Sequence, residues 1–277
     1  MNLENYFISR FNSKAIGDDG AIIDNMVYSM DAFFENVHFK RSWMSYYQIA
    51  QKAMLVNISD AIAMNAKPMY ALLSVAMPST MAKKEMNELV QGFQDIAKQY
   101  SIEIIGGDTI SNTKLDISVT IISSICAGTK PLLRSKVRNG QLLAYTGRLG
   151  ESAKDLQKLF SGGKIHQKSK FVNITLRDDF MKRSARYLQA GMDISDGLYS
   201  DLDKIAKLNN IGFSFYKKIE KSIGCSGEEY EMLVAFDKRD KKKIVRRALQ
   251  SRTPLHIFAK ATRQKYTNRC KAHHFKK

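Results

Sequence analysis

The stretch I-E-I-I-G-G-D-T-I-S, residues 102–111, carries the pattern from which the fold can be predicted. Its first four residues, 102–105, have the apolar character of a short buried strand. Gly106 and Gly107 then end the predicted strand, and Asp108 follows them. Two glycines before a carboxylate indicate either a tight turn or a place where the backbone approaches a phosphate or a metal ion closely.

Helix-like and strand-like periodicities alternate on both sides of this stretch. We predict an α/β layered domain from the following elements: a strand or hairpin at 21–31, a long helix at 45–64 capped by Ser45, a strand at 69–77 after Pro68, an amphipathic helix at 81–99 and an alternating strand at 115–128.

A polar segment at 130–141, which contains Pro131 and Gly140, separates this half from a second set of elements. We therefore predict two domains, at 1–135 and 136–277. The elements predicted for the second are a helix at 177–190, a strand at 191–195, a helix at 197–210, strands at 213–216, 230–236 and 255–261, and a solvated helix at 238–250 whose apolar stripe is Ile244, Val245, Ala248 and Leu249.

Composition predicts a globular protein without a membrane span. The chain has 277 residues, of which 44% are hydrophobic and 26% charged. No apolar run is long enough to cross a bilayer, and the first residues, MNLENYFISRF, do not have the pattern of a signal peptide. We therefore expect a cytoplasmic location. Cys126, Cys225 and Cys270 form no C-x-x-C pair, so we expect unpaired thiols and neither a disulfide nor a zinc site.

The formal net charge of +17 is concentrated at the end of the chain, where residues 238–277 hold fifteen Lys or Arg and one acid, Asp240. Such a tail can bind nucleic acid. However, no zinc finger or aromatic-interleaved recognition motif accompanies it. Nucleic-acid binding is therefore kept as the lesser alternative.

The acids of this basic chain gather beside glycines and at the ends of predicted strands. Each one alone is typical of a turn or a helix cap. Carboxylates that converge repel one another unless cations lie among them, and Mg²⁺ prefers such oxygens and enters with substrate phosphates. The chain has no G-x-x-x-x-G-K-[ST] loop and no protein-kinase motifs. The candidates are Asp18, Asp19, Asp31, Asp60, Asp108, Asp193 and Asp196.

Six motifs occur in this order along the chain: G-D-D-G-A (17–21), S-M-D with E-N-V-H-F (29–39), N-I-S-D-A-I-A-M-N-A-K-P (57–68), I-G-G-D-T (105–109), D-I-S-D-G-L (193–198) and S-G-E-E-Y-E (226–231). Together they resemble the motifs of the thiamine-monophosphate kinase family. The family belongs to an ATP-binding superfamily with aminoimidazole ribonucleotide synthetase, selenophosphate synthetase and HypE.

The resemblance implies an α/β (α+β), PurM-like fold of two domains. The sheet of the N-terminal domain would form a barrel with a second copy in a homodimer, and an α/β domain would follow it. The implied reaction transfers the γ-phosphoryl group of ATP to thiamine phosphate with the help of several Mg²⁺ ions. Another acceptor within the same superfamily is the alternative.

The site residues are carried over from the same motifs. The implied magnesium ligands are Asp19, Ser29, Met30 through its backbone, Asp31, Asp60, Asp108, Asp193 and Asp196. The implied ATP contacts are Gly107, Asp108, Arg134 and Ser195, and the implied thiamine phosphate contacts are His38 and Glu228. Catalysis would depend most on Asp193, Asp196, Asp108 and Arg134.

Some positions depart from the family pattern. Met30 stands where Thr is frequent, Glu229 where Asp is usual, and Asn65 where Gly is usual. An aromatic residue near the C-terminus packs on thiamine in the family, and the candidates here are Tyr266 and Phe275.

Overall fold

The computed structural model describes residues 3–126 and 128–271, which form two five-stranded sheets with helices packed on them. The first half contains β1 (Ala21–Ile23), β2 (Met26–Phe34), β3 (Ala66–Pro78), β4 (Glu103–Asn112) and β5 (Asp116–Ile125), with α1 (Leu3–Ile8), α2 (Tyr46–Ala63) and α3 (Lys83–Tyr100). The second half contains β6 (Leu142–Thr146), β7 (Leu188–Asp193), β8 (Gly212–Phe215), β9 (Met232–Phe236) and β10 (Leu255–Thr262), with α4 (Glu151–Phe160), α5 (Asp178–Ser184), α6 (Leu198–Asn209), α7 (Lys221–Gly224) and α8 (Lys241–Gln250). The mixed α/β fold class is confirmed.

The first sheet has the strand order β1-β2-β5-β3-β4, in which only the β3–β4 pair is parallel. The alternation predicted for 115–128 is present in β5, where Ile117, Val119 and Ile121 are buried. This face packs against α2. Polar neighbours at alternate positions remain partly exposed, as the period of two requires.

Helix α2 runs through the centre of the molecule and is buried along nearly its whole length. The predicted cap at Ser45 is confirmed: its hydroxyl accepts from the backbone NH of Gln48, whose side chain accepts from the Ser45 NH. A helix that is buried on all sides can place polar side chains only where they find partners. The polar residues Asn57, Ser59 and Asp60 in its last two turns find such partners in the site described below.

The prediction for residues 102–111 is wrong in two respects. The strand does not end at the glycines, because β4 continues to Asn112, and it is an exposed edge strand rather than a buried one. Gly107 has a φ of 149°, and a Cβ at this position would lie 1.7 Å from the Leu73 carbonyl oxygen of β3. Close strand packing therefore requires the glycine here.

The second sheet has the order β7-β9-β6-β10-β8, and its pairs are antiparallel. The helix predicted at 177–190 is too long, because α5 ends at Ser184 and β7 begins at Leu188, which pairs with Phe236 of β9. The apolar stripe predicted on α8 is half correct, since Ile244 and Ala248 are buried but Val245 and Leu249 are exposed.

The two sheets share one hydrophobic core. The largest cluster of buried residues joins Phe33 and Ile121 of the first half to Val234 and Phe236 of the second. A smaller cluster lies between the second sheet and α6. The predicted boundary at 135/136 falls inside a short 3₁₀ helix, Arg134–Lys136, which lies between the two sheets, and the division into domains stays a prediction.

The expectation that the three cysteines are unpaired is wrong for two of them. Cys225 and Cys270 form a disulfide with a Cα–Cα distance of 5.6 Å, across 45 residues of sequence. The chain after β10 runs back over the second half, where the Tyr266 hydroxyl donates to the Tyr199 carbonyl. Only this long-range return brings the two cysteines together. Cys126 is a free, half-buried thiol.

Within the described ranges, no helix combines the length and the apolar character that a membrane crossing requires.

Candidate active site

Three carboxylates from distant parts of the sequence meet between the two halves. Asp19 precedes β1, Asp60 lies in α2, and Asp193 is the last residue of β7. One oxygen of each lies within 4.8 Å of the others, and they form the one such group among the described residues that is suited to hold a metal ion. We call these three residues the acid cluster. The predicted convergence of these carboxylates is thus present in the fold.

Close packing of β7 on α2 brings Asp193 to Asp60. A Cβ on Gly191 would lie 2.6 Å from the Ala63 carbonyl oxygen at the end of α2, so a larger residue would push the strand away. The hydroxyl of Ser59 donates to Asp193 Oδ2 at 2.7 Å. This contact fixes the orientation of the Asp193 carboxylate.

Asp31 and Ser29 lie on the face of β2 that packs on α2, beside the acid cluster. Asn57 of α2 holds this strand, since its Oδ1 accepts from the Asp31 NH at 2.6 Å and its carbonyl accepts from the Ser29 hydroxyl at 3.4 Å. Asp31 interacts electrostatically with Asp19 and Asp60. Both predicted residues are therefore near the cluster. The side chain of Met30 points to the opposite face and is 64% exposed.

Arg134 is the cation in contact with the cluster. Its guanidinium forms an ion pair with Asp19, and its backbone NH donates to Asp18 Oδ1 at 2.5 Å. Burial alone would lower the pKa of Arg134, but the charge of Asp19 raises it above its ordinary value, so the side chain is charged. Asp19 Oδ2 and Arg134 Nε are buried and have no hydrogen-bond partner among the described residues.

The electrostatics of the cluster show a shortage of positive charge. Burial, followed by the charge of Asp19, raises the pKa of Asp31 to about 6. Burial and neighbouring carboxylates also raise the pKa values of Asp60 and Asp193 well above the ordinary range. A buried carboxylate crowded by others disfavours its charged form unless a cation joins them. Oxygen ligands, close spacing and an orphaned buried oxygen together fit a divalent cation such as Mg²⁺.

Asp196 and Ser195 follow the cluster in the D-I-S-D-G motif. Asp196 Oδ2 lies 2.7 Å from the Lys204 ammonium, which also pairs with Asp201 at 2.9 Å. The carbonyl of Ser195 accepts from the Glu228 NH at 2.7 Å. This bond joins the D-I-S-D-G segment to the S-G-E-E-Y-E segment.

Asp108 and Gly107 are not brought to the acid cluster within one chain. Asp108 is exposed on β4, and its Oδ1 accepts from the Thr109 NH. β4 is the edge strand of the first sheet, separated from β2 by β3 and β5. Neither residue has a contact in this chain that supports the predicted metal or ATP role.

The two residues predicted to bind thiamine phosphate lie in one region next to the cluster. The ring of His38 stacks on Phe33 with a centroid distance of 5.7 Å, and His38 Nδ1 accepts from the Phe34 NH. The ring centroid of Phe33 lies 5.7 Å from Lys52 Nζ, and this ammonium forms an ion pair with Glu228. Sequence reasoning missed Lys52, although a lysine inside the apolar run I-A-Q-K-A-M-L-V was a visible signal.

Glu229 and Glu231 of the same motif face inward, and we call them the glutamate pair. Glu229 accepts from the Gly150 NH at 2.7 Å, and Glu231 forms two hydrogen bonds of 2.8 Å with the guanidinium of Arg177. The Lys170 ammonium lies 2.9 Å from Glu229 and 3.0 Å from Glu231. These acids connect the S-G-E-E-Y-E segment to Gly150, Lys170 and Arg177, and they are not part of the acid cluster.

Of the two aromatic candidates for thiamine contact, Tyr266 packs on Phe213 with a centroid distance of 5.2 Å. Its hydroxyl donates to the Tyr199 carbonyl, so the side chain belongs to the core of the second half. Phe275 lies outside the described residues.

The fold of this chain is shared with proteins of known structure, and its first half matches a known family. Residues 17–125 match the family described as AIR synthase related protein, N-terminal domain. Among solved structures, "AaThiL complexed with AMPPCP and TMP" is similar with a TM-score of 0.83 and 24% identity, covering 95% of this chain and 91% of that one. A chain of the HypE–HypF complex is also similar, with a TM-score of 0.79 and 14% identity, covering 95% of this chain and 93% of that one.

Curated relatives define the family. Thiamine-monophosphate kinase of Bacillus subtilis (strain 168) is 31% identical over 225 residues, which cover 74% of this chain and 67% of the relative. That of Buchnera aphidicola subsp. Schizaphis graminum is 32% identical over 267 residues, which cover 83% and 79%. The chain belongs to the thiamine-monophosphate kinase family.

Proposed function

We propose that this protein transfers the γ-phosphoryl group of ATP to thiamine phosphate, giving thiamine diphosphate and ADP. Membership of the kinase family supports the reaction. The observation that carries the site assignment is the meeting of Asp19, Asp60 and Asp193 between the two halves of the molecule. Phosphoryl transfer needs little covalent chemistry from the protein, so positioning and charge neutralisation are its main tasks.

We propose that Asp19, Asp60 and Asp193 hold divalent cations, with Asp31 beside them and Asp196 and Ser29 at the margin. Bound Mg²⁺ would neutralise the charge that develops on the transferred phosphoryl group. The protein's own contribution is a set of carboxylates fixed in place by Ser59, Asn57 and the packing of β7 on α2.

Arg134 is proposed to contact the ATP phosphates. Its guanidinium is charged, 15% exposed and held beside Asp19, so little rearrangement is needed for it to receive an anion. The acceptor is a phosphate monoester whose anionic oxygen can attack directly, and repulsion between two anionic substrates is then the main barrier. Arg134 would reduce this repulsion. Ser195, at the junction of the two motifs, is proposed as a further ATP contact.

A homodimer joined through the first sheet is also proposed. Edge strand β4 is ten residues long and exposes Ile105 (48%) and Ile110 (54%). The outer face of β2 exposes Tyr28 and Met30. Long apolar edges of this kind pair readily with another chain. Asp108, which lies on β4, would then be placed at the contact between copies. Light scattering on the purified protein would give a dimer mass, and a monomer would contradict the proposal.

Cytoplasmic action is proposed because the expected co-substrate is ATP.

The test of function is direct. Purified protein is incubated with ATP, MgCl₂ and thiamine phosphate, and thiamine diphosphate is measured by chromatography of the thiochrome derivative. We expect its formation to require both MgCl₂ and thiamine phosphate. A folded, ATP-binding preparation that forms no thiamine diphosphate would contradict the proposed reaction, and ATP-dependent turnover of a formylglycinamidine or selenide acceptor instead would favour the alternative within the superfamily.

A further inference from the structure

Lys52 is a buried cation that the acid cluster does not use. Its side chain has 0% exposure and lies in α2. Ser59, which donates to Asp193, is seven residues further on and therefore on the same face of the helix, about 10 Å away at 1.5 Å per residue. A buried ammonium is costly unless a carboxylate compensates it. The carboxylate that compensates Lys52 is that of Glu228, and we therefore ask what this pair does.

The ammonium of Lys52 contacts one carboxylate and two aromatic rings. Its Nζ lies 2.5 Å from Glu228 Oε2, 3.7 Å from the ring centroid of Phe171 and 5.7 Å from that of Phe33. Burial lowers the pKa of Lys52, and the charge of Glu228 opposes this effect. Faces of aromatic rings attract cations, so the two rings hold the ammonium in one place.

Glu228 is held in an unusual backbone conformation. Its φ is 54°, which is unfavourable for a residue with a side chain, and its neighbour Tyr230 has a φ of 50°. The Glu228 carbonyl accepts from the Ser152 hydroxyl at 2.8 Å, and its NH donates to the Ser195 carbonyl. Strain that surrounding contacts maintain is typical of ligand-binding positions.

The carboxylate of Glu228 also faces the site. Its side chain is 24% exposed, unlike those of Glu229 and Glu231, which are buried. Because Lys52 engages Oε2, Oε1 is the oxygen presented to a ligand. After burial itself, the charges of Glu228, Asp31 and Asp193 raise the pKa of the buried Tyr230 phenol, so Glu228 and the acids around the cluster act on the same side chain.

We infer that Lys52 is a positioning residue for the acceptor: it orients the Glu228 carboxylate so that Oε1 receives the positively charged ring of thiamine phosphate. The inference rests on the proposed function and names the element that holds the acceptor side of the site. The ammonium itself does not touch the substrate. His38, which is linked to Lys52 through Phe33, borders the same region.

The experiment compares Lys52→Met, Glu228→Gln and the double variant by steady-state kinetics with both substrates varied. Met keeps the length and the apolar contact with Phe171 but removes the charge. We expect Lys52→Met to raise the KM for thiamine phosphate by about tenfold and to change the KM for ATP less than about twofold. Because Lys52 acts through Glu228, the double variant should have the acceptor KM of Glu228→Gln alone.

Arg177→Met is the control, because it removes a partly buried cation whose partner, Glu231, does not belong to the acid cluster. It should lower the Tm without separating the two KM values. Equal increases in both KM values in Lys52→Met, or an unchanged acceptor KM, would overturn the role of Lys52. If Lys52→Met does not fold, the double variant decides, since a higher acceptor KM than in Glu228→Gln would also overturn it. A wild-type protein that does not phosphorylate thiamine phosphate would overturn the proposed function itself.

Discussion

The acid cluster and the glutamate pair are both groups of buried carboxylates, but only one of them is compensated by the protein. Glu229 and Glu231 are paired with Lys170, Arg177 and backbone NH groups. Although burial would raise the pKa of Glu231, hydrogen bonds from Arg177 and the charge of Lys170 lower it. In the acid cluster, burial and neighbouring carboxylates instead raise the pKa values of Asp60 and Asp193.

This difference separates a structural role from a functional one. A buried carboxylate that is paired within the protein belongs to the fold, because removal of either partner leaves an uncompensated buried charge. A group in which Arg134 pairs with Asp19 while Asp60 and Asp193 have raised pKa values is destabilising without an external ion, which is typical of an active site. We therefore expect that removing a charge from the acid cluster lowers turnover and stabilises the metal-free protein. Removing a charge from the glutamate pair should lower stability and leave turnover nearly unchanged.

The largest expected effect follows from Asp193→Asn. The amide keeps the shape but removes a charge from the proposed metal site, so we expect a loss of turnover on the order of 10³-fold. The Tm of the metal-free protein should rise, because repulsion among the carboxylates decreases. Turnover is measured with MgCl₂, and the Tm is measured by differential scanning calorimetry of the metal-free protein. Near-normal turnover, or a lower metal-free Tm, would show that Asp193 is structural.

Glu231→Gln should have the reverse signature. It breaks the pair with Arg177 and leaves this partly buried cation without its carboxylate, so we expect a loss of about 3 kcal/mol in the free energy of unfolding. The kcat of the folded fraction should change little. Urea denaturation followed by fluorescence measures the first quantity. Glu151→Gln, at an exposed acid of α4, is the control and should leave stability unchanged. Turnover reduced as strongly as by Asp193→Asn would remove the distinction between the two groups.

Arg134→Met sharpens the comparison, because it removes the internal cation from the acid cluster. We expect turnover to fall by about 10²-fold, with a weaker apparent affinity for ATP. The metal-free protein should also lose stability, since Asp19 then lacks its partner. Kinetics with varied ATP and a thermal melt test this. Unaltered ATP dependence would place Arg134 outside the nucleotide site.

The smallest expected effect is a pH dependence of the metal-free protein. The pKa of Asp31 is raised from 3.8 to about 6, so the folded protein holds a proton that the unfolded chain releases. Stability therefore falls as the pH rises through this window. We expect a Tm lower by roughly 2–4 °C at pH 7.5 than at pH 5. MgCl₂ should restore it at pH 7.5. Glu231 does not interfere, because its pKa is lowered from 4.5. A Tm of the metal-free protein that rises from pH 5 to pH 7.5 would contradict the conclusion that the acid cluster lacks positive charge.

Much of the fold could be predicted because local signals agree with it. The cap at Ser45, the apolar spacing of α2 and the alternation of β5 are determined by nearby residues. The convergence of Asp19, Asp60 and Asp193 was expected from repeated acidic motifs and confirmed by the geometry.

The errors concern contacts between residues far apart in sequence. The sequence around Gly107 does not reveal that a Cβ at this position would lie 1.7 Å from the Leu73 carbonyl oxygen of β3. It also does not reveal that β4 is at the edge of the sheet, because strand order depends on distant residues. Cys225 and Cys270 meet only after the chain returns from β10. Lys52 was missed because its importance depends on Glu228, 176 residues away.

The most direct measurement of the central claim is the position of the divalent ions. Crystals grown with MnCl₂ and a non-hydrolysable ATP analogue would give an anomalous difference map that locates the metal. Peaks coordinated by oxygens of Asp19, Asp60 and Asp193, with none at the glutamate pair, are the predicted result. Metal bound elsewhere, with the three carboxylates dispersed or paired to protein cations, would contradict the account.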